Sequence, residues 1–403
     1  MTTLVPALLD ELALPEVADA PELSVVMPCL NEADTLRVCI DKALRAMREH
    51  GIDGEVVVAD NGSTDGSQAI AREAGARVVP VAEKGYGFAL MGGIAAARGR
   101  FVLMGDADDS YDFLELPAFV ARLREGYDLV QGCRLEGGGG KVLPGAMPVL
   151  HRWWGNPMFT WLTRWWFRAP VHDVYCGMSG YTRAWYQGLG QRCGGMEFAT
   201  EMIVKASLNG ARISEVPITL HPDGRRAHPP HLKTFRDGWR TLRFFLLYSP
   251  RWLFLMPGLA LGLLGLLGYA VALPGVSVDG VNFDAHTLLF ASLALICGYQ
   301  SALFAVFTKV FAVSEGLLPP DPRVATLTRL ATLEKCLVGA GIAMLAGMAL
   351  LSGAVLQWRA VDFGALDYSV TMRWVIPGVT LTALGFQTML SSFFLSVLGM
   401  RRP

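Results

Sequence analysis

Short apolar runs alternate with stretches of helical periodicity along residues 23–130. The pattern predicts strands at 23–28, 55–59, 77–81, 101–104 and 129–130, and helices at 33–49, 67–74, 87–97 and 116–124. Strands and helices that alternate at this spacing form βαβ units, which build a parallel sheet. We therefore expect an α/β domain with a mostly parallel sheet, and we place it at residues 23–230.

The second half of the chain has a different pattern. Four stretches without a charged residue follow Trp252, at 253–274, 287–308, 336–356 and 375–400. Each is long enough to cross the roughly 30 Å hydrocarbon core of a bilayer as a helix. One such stretch would also suit a buried helix of a soluble protein, but four in succession predict a membrane domain at 253–403. The mean hydropathy of +0.36 agrees with this prediction.

Basic residues near the spans predict the orientation of the membrane domain, because loops that stay in the cytoplasm are enriched in lysine and arginine. Such residues collect before the first span, between the second and third spans, and at the C-terminal end: Arg236, Arg240, Arg243, Arg251, Lys309, Arg323, Arg329, Lys335, Arg401 and Arg402. We therefore expect a multi-pass protein of the inner (cytoplasmic) membrane, with the α/β domain and the C-terminus in the cytoplasm.

Two further segments have the composition of helices that lie in the membrane interface. Residues 151–168 contain five of the ten tryptophans, flanked by arginines, and aromatic rings beside basic residues favour the interface. A buried aromatic helix is the alternative. Residues 231–252 predict a juxtamembrane amphipathic helix. The acidic stretch 1–22 lacks the features of a secretory signal, and we expect a flexible lead-in.

Composition and missing motifs argue against several classes of function. The seven cysteines contain no C-x-x-C pair, which suits a reducing compartment. The formal net charge of −1 gives no support to nucleic-acid binding. The first strand is not followed by G-x-G-x-x-G, and no G-x-x-x-x-G-K-[ST] occurs. These absences argue against a dinucleotide-binding dehydrogenase and against a P-loop enzyme.

Polar residues follow four of the predicted strands. Ligands of parallel α/β sheets bind beyond the carboxyl ends of the strands. The polar groups at those ends are Asn31 and Glu32, residues 60–65, Glu83 and Lys84, and Asp106 and Asp108. We expect them to converge on one rim of the sheet.

Asp106 and Asp108 are the strongest candidates for chemistry, because they follow an apolar strand and are separated by a single residue. Mg²⁺ and Mn²⁺ prefer hard oxygen ligands, and they commonly bind one or two carboxylates while substrate phosphates complete the shell. We therefore predict a Mg²⁺ or Mn²⁺ site at Asp106 and Asp108, with Asp109 as an alternative ligand. A solvated turn is the alternative to a metal site.

Together these segments resemble glycosyltransferase family 2, which has the GT-A fold, and within it the polyprenol-phosphate glycosyltransferases related to dolichol-phosphate mannosyltransferase. The resemblance covers about residues 23–245. The matching segments are 26–32 (VMPCLNE), 58–67 (VADNGSTDGS), 84–87 (KGYG), 105–108 (GDAD), 132–134 (GCR), 173–180 (DVYCGMSG) and the basic run 225–233. The chain departs from the family at Leu30, where a tyrosine is common, and at Asn61, where a second aspartate is common.

The resemblance implies a role for each of these positions. Those expected to bind the nucleotide-sugar are Pro28, Asn31, Glu32, Asp60, Asn61 and Lys84. Those expected to bind an acceptor phosphate are Arg134, Arg152, Arg225, Arg226 and Lys233. Asp106 and Asp108 would hold the metal and stabilise the leaving group. Asp173 would be the catalytic base if one is used, and an ion pair with His172 or an arginine is its alternative.

We therefore expect an inverting, metal-dependent glycosyltransferase. It would move one sugar from a UDP- or GDP-sugar to a polyprenyl phosphate, undecaprenyl or dolichyl, at the cytoplasmic membrane face. The alternatives are transfer to another lipid, such as diacylglycerol or ceramide, and a transporter or flippase with a nucleotide-sensing domain. Spans without ionisable residues argue against transport. The pattern Gly258-x-x-x-Gly262 is typical of close helix packing and leaves a homo-oligomer open.

Overall fold

The computed structural model describes residues 20–225 and 234–399. The chain forms two compact units, one ending at Phe244 and the other beginning at Phe245. Nearly all of the expected lead-in at 1–22, the segment 226–233 and the tail from residue 400 lie outside the described residues.

A seven-stranded sheet forms the centre of the first unit. The strands of this unit are β1 (Leu23–Cys29), β2 (Gly54–Asp60), β3 (Arg77–Pro80), β4 (Phe101–Met104), β5 (Leu129–Cys133), β6 (Lys141–Val142), β7 (Ser179–Thr182), β8 (Ile213–Pro217) and β9 (Thr219–Leu220). The large sheet has the order β3-β2-β1-β4-β7-β5-β8, and β6 pairs with β9 separately. Only β7 runs antiparallel to its neighbours in the large sheet. The prediction of a mostly parallel α/β domain is confirmed.

The first four helices alternate with β1 to β5, as the pattern predicted, whereas the helices at 183–189 and 198–208 were not predicted. The helices of this unit are α1 (Leu36–Glu49), α2 (Ser67–Glu73), α3 (Tyr86–Ala96), α4 (Leu116–Arg124), α5 (Asn156–Phe167), α6 (Arg183–Leu189), α7 (Phe198–Leu208) and α8 (Thr234–Tyr248). In α1 the buried residues include Leu36, Ile40, Ala43 and Met47, and this spacing gives one apolar stripe. That stripe packs in the same core as β1 and β2.

Gly93 lets α3 lie directly on the sheet. A Cβ added at Gly93 would lie 2.6 Å from Cγ1 of Val26 in β1 and 2.9 Å from Cβ of Ala59 in β2. Both atoms belong to strands that form the middle of the sheet, so they cannot move aside cheaply. The helix that begins with Tyr86 is therefore fixed against the strands whose ends form the rim.

Gly93→Ala is expected to lower the free energy of unfolding by about 1–3 kcal/mol, because overpacking exceeds the gain of about 1 kcal/mol in helix propensity. Gly188→Ala in α6 is the matched control, since a Cβ there would meet no atom within 4 Å. That control should keep or raise the stability. Thermal denaturation followed by circular dichroism compares the two variants, and equal melting temperatures would contradict this account of the packing.

The aromatic segment predicted at 151–168 forms a π-helical turn, His151–Gly155, followed by α5. Phe159 and Phe167 face the interior of the unit. The opposite face exposes four indole rings, at 67%, 71%, 58% and 49% for Trp153, Trp154, Trp161 and Trp165. The segment 151–168 therefore has an exposed tryptophan face, while Phe159 and Phe167 on its other side belong to the core.

The second unit is helical. It contains α9 (Met256–Ala272), β10 (Ser277–Val278), β11 (Val281–Asn282), α10 (Ala285–Ser314), α11 (Pro322–Leu330), α12 (Leu333–Ala360) and α13 (Tyr368–Gly399). Among the described residues, four helices are long and apolar enough to cross a membrane: 251–272, 285–314, 333–360 and 368–399. The first ends two residues before its predicted end, because Pro274 does not continue a helix. The four predicted membrane-spanning helices are confirmed.

Gly258 and Gly262 pack against Gly298 of the same chain. A Cβ at Gly258 would lie 2.8 Å from the carbonyl oxygen of Gly298, and a Cβ at Gly298 would lie 2.6 Å from the backbone nitrogen of Gly262. Small residues allow two helix backbones to approach this closely. The pattern therefore joins α9 to α10.

Candidate active site

The carboxyl ends of four parallel strands meet at one edge of the sheet. β3, β2, β1 and β4 are neighbours in that order and point the same way. Asp60 at the end of β2 pairs in register with Cys29 at the end of β1, and Asp106 lies two residues beyond β4. The rim expected from the sequence is therefore present.

Asp60 holds the loop that follows β2. Its buried carboxylate accepts hydrogen bonds from the backbone N–H of Gly62 (3.1 Å), the backbone N–H of Ser63 (3.2 Å) and the side chain of Gln68 (2.7 Å). A carboxylate that binds the backbone two and three residues ahead fixes a turn. Asp60 thereby sets the shape of the loop that faces the rim.

Asn61 joins this loop to the segment that follows β3. Its Nδ2 donates to the carbonyl oxygens of Val81 (3.1 Å) and Glu83 (2.6 Å), and its Oδ1 accepts from the backbone N–H of Gly85 (2.8 Å). Lys84 donates to the carbonyl oxygen of Asn61. An ionised aspartate could not donate to these two carbonyl oxygens, so asparagine suits this position.

Asn31 connects the ends of β1 and β2. Its backbone N–H donates to Ser63 Oγ (2.9 Å), and its Oδ1 accepts from the backbone N–H of Thr64 (2.8 Å). Asn31 adopts a left-handed backbone conformation, with φ at 61°, which asparagine tolerates better than most residues. Pro28 lies in β1 opposite Ala59 and is partly exposed at the same edge.

Glu32 is buried and paired with an arginine from far along the chain. Arg225 Nε lies 3.0 and 2.9 Å from the two carboxylate oxygens of Glu32, and Nη2 lies 2.7 Å from Oε1. The remaining nitrogen of Arg225, Nη1, lies 3.0 Å from Asp108 Oδ2. One guanidinium therefore bridges an expected donor-binding residue and an expected metal ligand.

Asp106 is partly exposed and sits beside the start of α3. Tyr86 donates its hydroxyl to Asp106 Oδ1 at 2.9 Å. Burial and, after it, the charge of Asp108 raise the pKa of the Asp106 carboxyl to about 7. A carboxylate in this position gains strongly from additional positive charge.

Asp108 and Asp109 point to different partners. Asp108 is buried, and its Oδ1 accepts from the backbone N–H (3.0 Å) and the hydroxyl (2.6 Å) of Ser110. Asp109 has a positive φ of 62° and forms an ion pair with Lys42 at 2.8 Å. The backbone turns between the two residues, and the carboxylate of Asp109 is engaged at α1.

The carboxylates of Asp106 and Asp108 fit a divalent metal. Oδ1 of each is held by a hydroxyl donor, from Tyr86 and Ser110 respectively, and Asp108 Oδ2 lies 3.0 Å from Arg225 Nη1. Asp106 and Asp108 would hold the metal through their carboxylates. No group of three His, Cys, Asp or Glu side chains that could hold a metal is found in the described part of the chain. Two carboxylates with substrate phosphates form the kind of site in which proteins hold Mg²⁺.

Arg134 and Asp173 form a buried ion pair. Asp173 is 0% exposed, and it accepts from the backbone N–H (3.1 Å), Nε (2.7 Å) and Nη2 (2.9 Å) of Arg134. This arrangement is the ion-pair alternative considered for Asp173. Arg134 Nη1 lies 3.3 Å from the Tyr111 hydroxyl, which accepts from the backbone N–H of Gly177 at 2.8 Å.

The other residues expected to bind the acceptor phosphate are not all in one place. Arg152 pairs with the exposed Glu136 at 3.1 Å and stacks on Trp153. Arg225 reaches Glu32 and Asp108. Arg226 and Lys233 lie outside the described residues, so the structure assigns them no position.

Comparison with known proteins identifies the family. A family model described as glycosyl transferase family 2 matches residues 24–190, and one described as the glycosyltransferase family 2 C-terminal transmembrane region matches residues 306–399. A hexosyltransferase of low-salt glycan biosynthesis from Haloferax volcanii is 38% identical over 97% of this chain and 92% of its own length. The chain belongs to glycosyltransferase family 2.

Other relatives match about half of this glycosyltransferase. A dolichyl-phosphate hexose transferase from Haloferax volcanii is 32% identical over 54% of the chain and 89% of its own length. A solved glucosyl-3-phosphoglycerate synthase from Mycobacterium tuberculosis, with Mn²⁺, UDP and product, is 25% identical, with a TM-score of 0.43 over 56% of this chain and 79% of its own. Four apolar helices and the matched transmembrane region make this glycosyltransferase a multi-pass membrane protein.

Several site residues of the glycosyltransferase were missed at the sequence level. Tyr86 and Gly177 lie inside the quoted segments 84–87 and 173–180, but their contacts with Asp106 depend on the fold. A Cβ at Gly177 would lie 2.8 Å from Asp106 Oδ2 and 3.2 Å from the Tyr111 hydroxyl. Ser110 and Tyr111 follow the aspartates directly, and that position was the only available signal.

Another buried ion pair supports the start of α3. Lys205 lies 2.7 Å from Glu201 in α7, and Glu201 also accepts from the backbone N–H groups of Arg192 (3.0 Å) and Cys193 (2.8 Å). The next residue, Gly194, accepts from the backbone N–H groups at the first turn of α3. Glu201 thus holds the loop that caps the helix carrying Tyr86.

Proposed function

We propose that this glycosyltransferase is inverting and metal-dependent, and that it moves one sugar from a UDP- or GDP-sugar to a polyprenyl phosphate at the cytoplasmic membrane face. In this reaction a phosphate oxygen of the lipid forms a bond to the anomeric carbon. The bond from that carbon to the nucleoside diphosphate breaks, and the diphosphate leaves with the electron pair. A single displacement of this kind inverts the configuration at the anomeric carbon.

The observation that carries the proposal is the carboxylate pair at the rim of a family 2 domain in a chain that also has four apolar helices. Asp106 and Asp108 supply the oxygen ligands that a diphosphate-bound metal needs. The relative named dolichyl-phosphate hexose transferase supports a lipid phosphate as acceptor, since the match covers 89% of its own length.

Donor binding is proposed for Pro28, Asn31, Glu32, Asp60, Asn61 and Lys84. The contacts of Asp60 and Asn61 support an indirect role, in which they hold the two loops that would enclose the nucleoside. Because Asn61 fixes the segment around Lys84, the two residues would act together on one wall of the donor site. Bound Mg²⁺ or Mn²⁺ would supply positive charge that stabilises the leaving diphosphate.

Asp173 is proposed as a positioning residue. A phosphate monoester is already ionised near neutral pH, so the acceptor needs no strong base to remove a proton. The Asp173 carboxylate is buried and bound by Arg134, and such a pair holds its partners in one geometry. Arg134 and Tyr111 then keep Gly177 against Asp106.

The exposed tryptophans of the segment 151–168 support a membrane-facing role for the first unit. Indole rings beside arginines favour the lipid headgroup region. Arg152 and Arg164 belong to this segment, and Arg236 and Arg240 belong to α8. A catalytic unit held against the bilayer would receive the phosphate of a lipid whose isoprenoid tail stays in the membrane.

The test is a transfer assay with the purified full-length protein in lipid nanodiscs. Radiolabelled UDP- and GDP-sugars are each added with undecaprenyl or dolichyl phosphate and Mn²⁺, and we expect a chloroform-soluble labelled product that EDTA abolishes. Diacylglycerol and ceramide serve as competing acceptors. Label on a neutral lipid alone would overturn the acceptor, and full activity in EDTA would overturn the metal.

A further inference from the structure

Arg225 reaches Asp108 along a defined backbone path. The backbone N–H of His221 donates to the Ser110 carbonyl (2.9 Å), and that of Gly224 donates to the Asp108 carbonyl (2.9 Å). The segment that ends in Arg225 therefore runs alongside the loop that carries Asp108. Only 12% of the Arg225 side chain is exposed, so its position is fixed by packing and by these hydrogen bonds.

The guanidinium of Arg225 binds the same oxygen that a metal would use. Asp108 Oδ1 is engaged by Ser110, and Oδ2 lies 3.0 Å from Arg225 Nη1. Glu32 and Asp108 both pair with this largely buried guanidinium, and their negative charges stabilise it there. A divalent ion at Asp106 and Asp108 would be repelled by a guanidinium bound to the same carboxylate.

We propose that Arg225 is the resting counter-ion of Asp108 and that the metal displaces it. This inference rests on the proposed function. Glu32 holds the guanidinium by Nε and Nη2, so Arg225 can release Asp108 without leaving the site. Nη1 can then bind an anionic substrate, in competition with Asp223, whose Oδ2 lies 3.7 Å away. Metal binding would thereby prepare the cation that binds a phosphate, and the two events would occur in that order.

The test measures metal binding alone, with no sugar donor or lipid. Mn²⁺ is titrated into the detergent-solubilised full-length protein, and free Mn²⁺ is followed by electron paramagnetic resonance. Arg225→Gln is expected to bind Mn²⁺ at least about tenfold more tightly than the wild type, because the competing charged hydrogen bond is gone. Arg225→Lys should also bind more tightly, by a smaller factor, since an ammonium cannot bridge Glu32 and Asp108 as a fork.

Lys42→Gln is the matched control. It also removes one positive charge beside this loop, but Lys42 pairs with Asp109 and Asp112. Its Mn²⁺ affinity should stay within about twofold of the wild type, since Lys42 contacts neither Asp106 nor Asp108 in the described residues and its partly exposed charge is screened by solvent and salt. Equal or weaker Mn²⁺ binding by Arg225→Gln, or an equal gain in Lys42→Gln, overturns the proposal. If Arg225→Gln does not fold, Arg225→Lys decides by the same comparison. Because no transfer is measured, neither result depends on the identity of the substrates.

Discussion

Asp108→Asn is expected to lower the rate of sugar transfer at least about 100-fold, since metal-ion catalysis contributes several kcal/mol to stabilising the transition state. The substitution keeps the size of the side chain and can still accept from Ser110. It removes the negative charge that a divalent ion requires at Oδ2. The measurement is the initial rate of transfer to the lipid phosphate in nanodiscs, at saturating donor and Mn²⁺.

Asp109→Asn is the control for this prediction. It makes the same chemical change one residue away, and asparagine tolerates the positive φ of 62° found there. Because Asp109 pairs with Lys42, its loss should change the rate by less than about threefold, which is the scale of a partly exposed ion pair. Similar losses of transfer rate in both variants would contradict the prediction, because they would show that the total charge of the loop matters and that Asp108 is not a specific metal ligand.

Arg134→Met is expected to lower the free energy of unfolding by about 3–5 kcal/mol, because it leaves the Asp173 carboxylate buried and unpaired. Asp173 is fully buried, and the Arg134 side chain is only 9% exposed. The measurement is the thermal denaturation of the purified chain, followed by intrinsic fluorescence. The double variant Arg134→Met with Asp173→Leu should recover most of the lost stability, since a buried ion pair can be replaced by apolar side chains.

Glu136→Gln is the control for the ion-pair prediction. The pair between Arg152 and Glu136 is exposed, at 31% and 80% of the two side chains, and its loss should cost no more than about 1 kcal/mol. If Asp173 were a catalytic base, the variant Asp173→Asn would separate activity from stability. Asp173→Asn would then lose activity at unchanged stability, and that outcome would contradict the positioning role.

The element pattern of the first unit could be read directly from the sequence. Apolar strands such as 101–104 are buried on both faces, so they appear as continuous runs, and α1 places its apolar residues three and four apart. Two strands of the large sheet were not predicted, and neither were the short strands β6 and β9. Ser179–Thr182 and Ile213–Pro217 contain glycine, proline and polar residues, and they become strands because β5 lies between them and pairs with both.

Side-chain partners were less predictable than elements. Asn61 was expected to face the donor, but the ends of two strands bring the carbonyl groups of Val81 and Glu83 within reach of its amide. The sequence left two roles for Asp173, a catalytic base and an ion-pair partner. The fold places Arg134, 39 residues earlier in the chain, in an ion pair with it. No local pattern contains that information, because a carboxylate pairs with whichever cation the packing delivers.

The sequence by itself determined the α/β alternation, the rim of polar strand ends and the four apolar helices. Each of these depends on the hydrophobicity of neighbouring residues, which is a local property. Only the tertiary structure decided which charges meet. Arg225 lies 193 residues from Glu32, and it reaches Glu32 and Asp108 because the chain returns alongside the loop of β4. The aspartate pair therefore faces a cation of its own chain, which is a property of the folded arrangement and of no single segment.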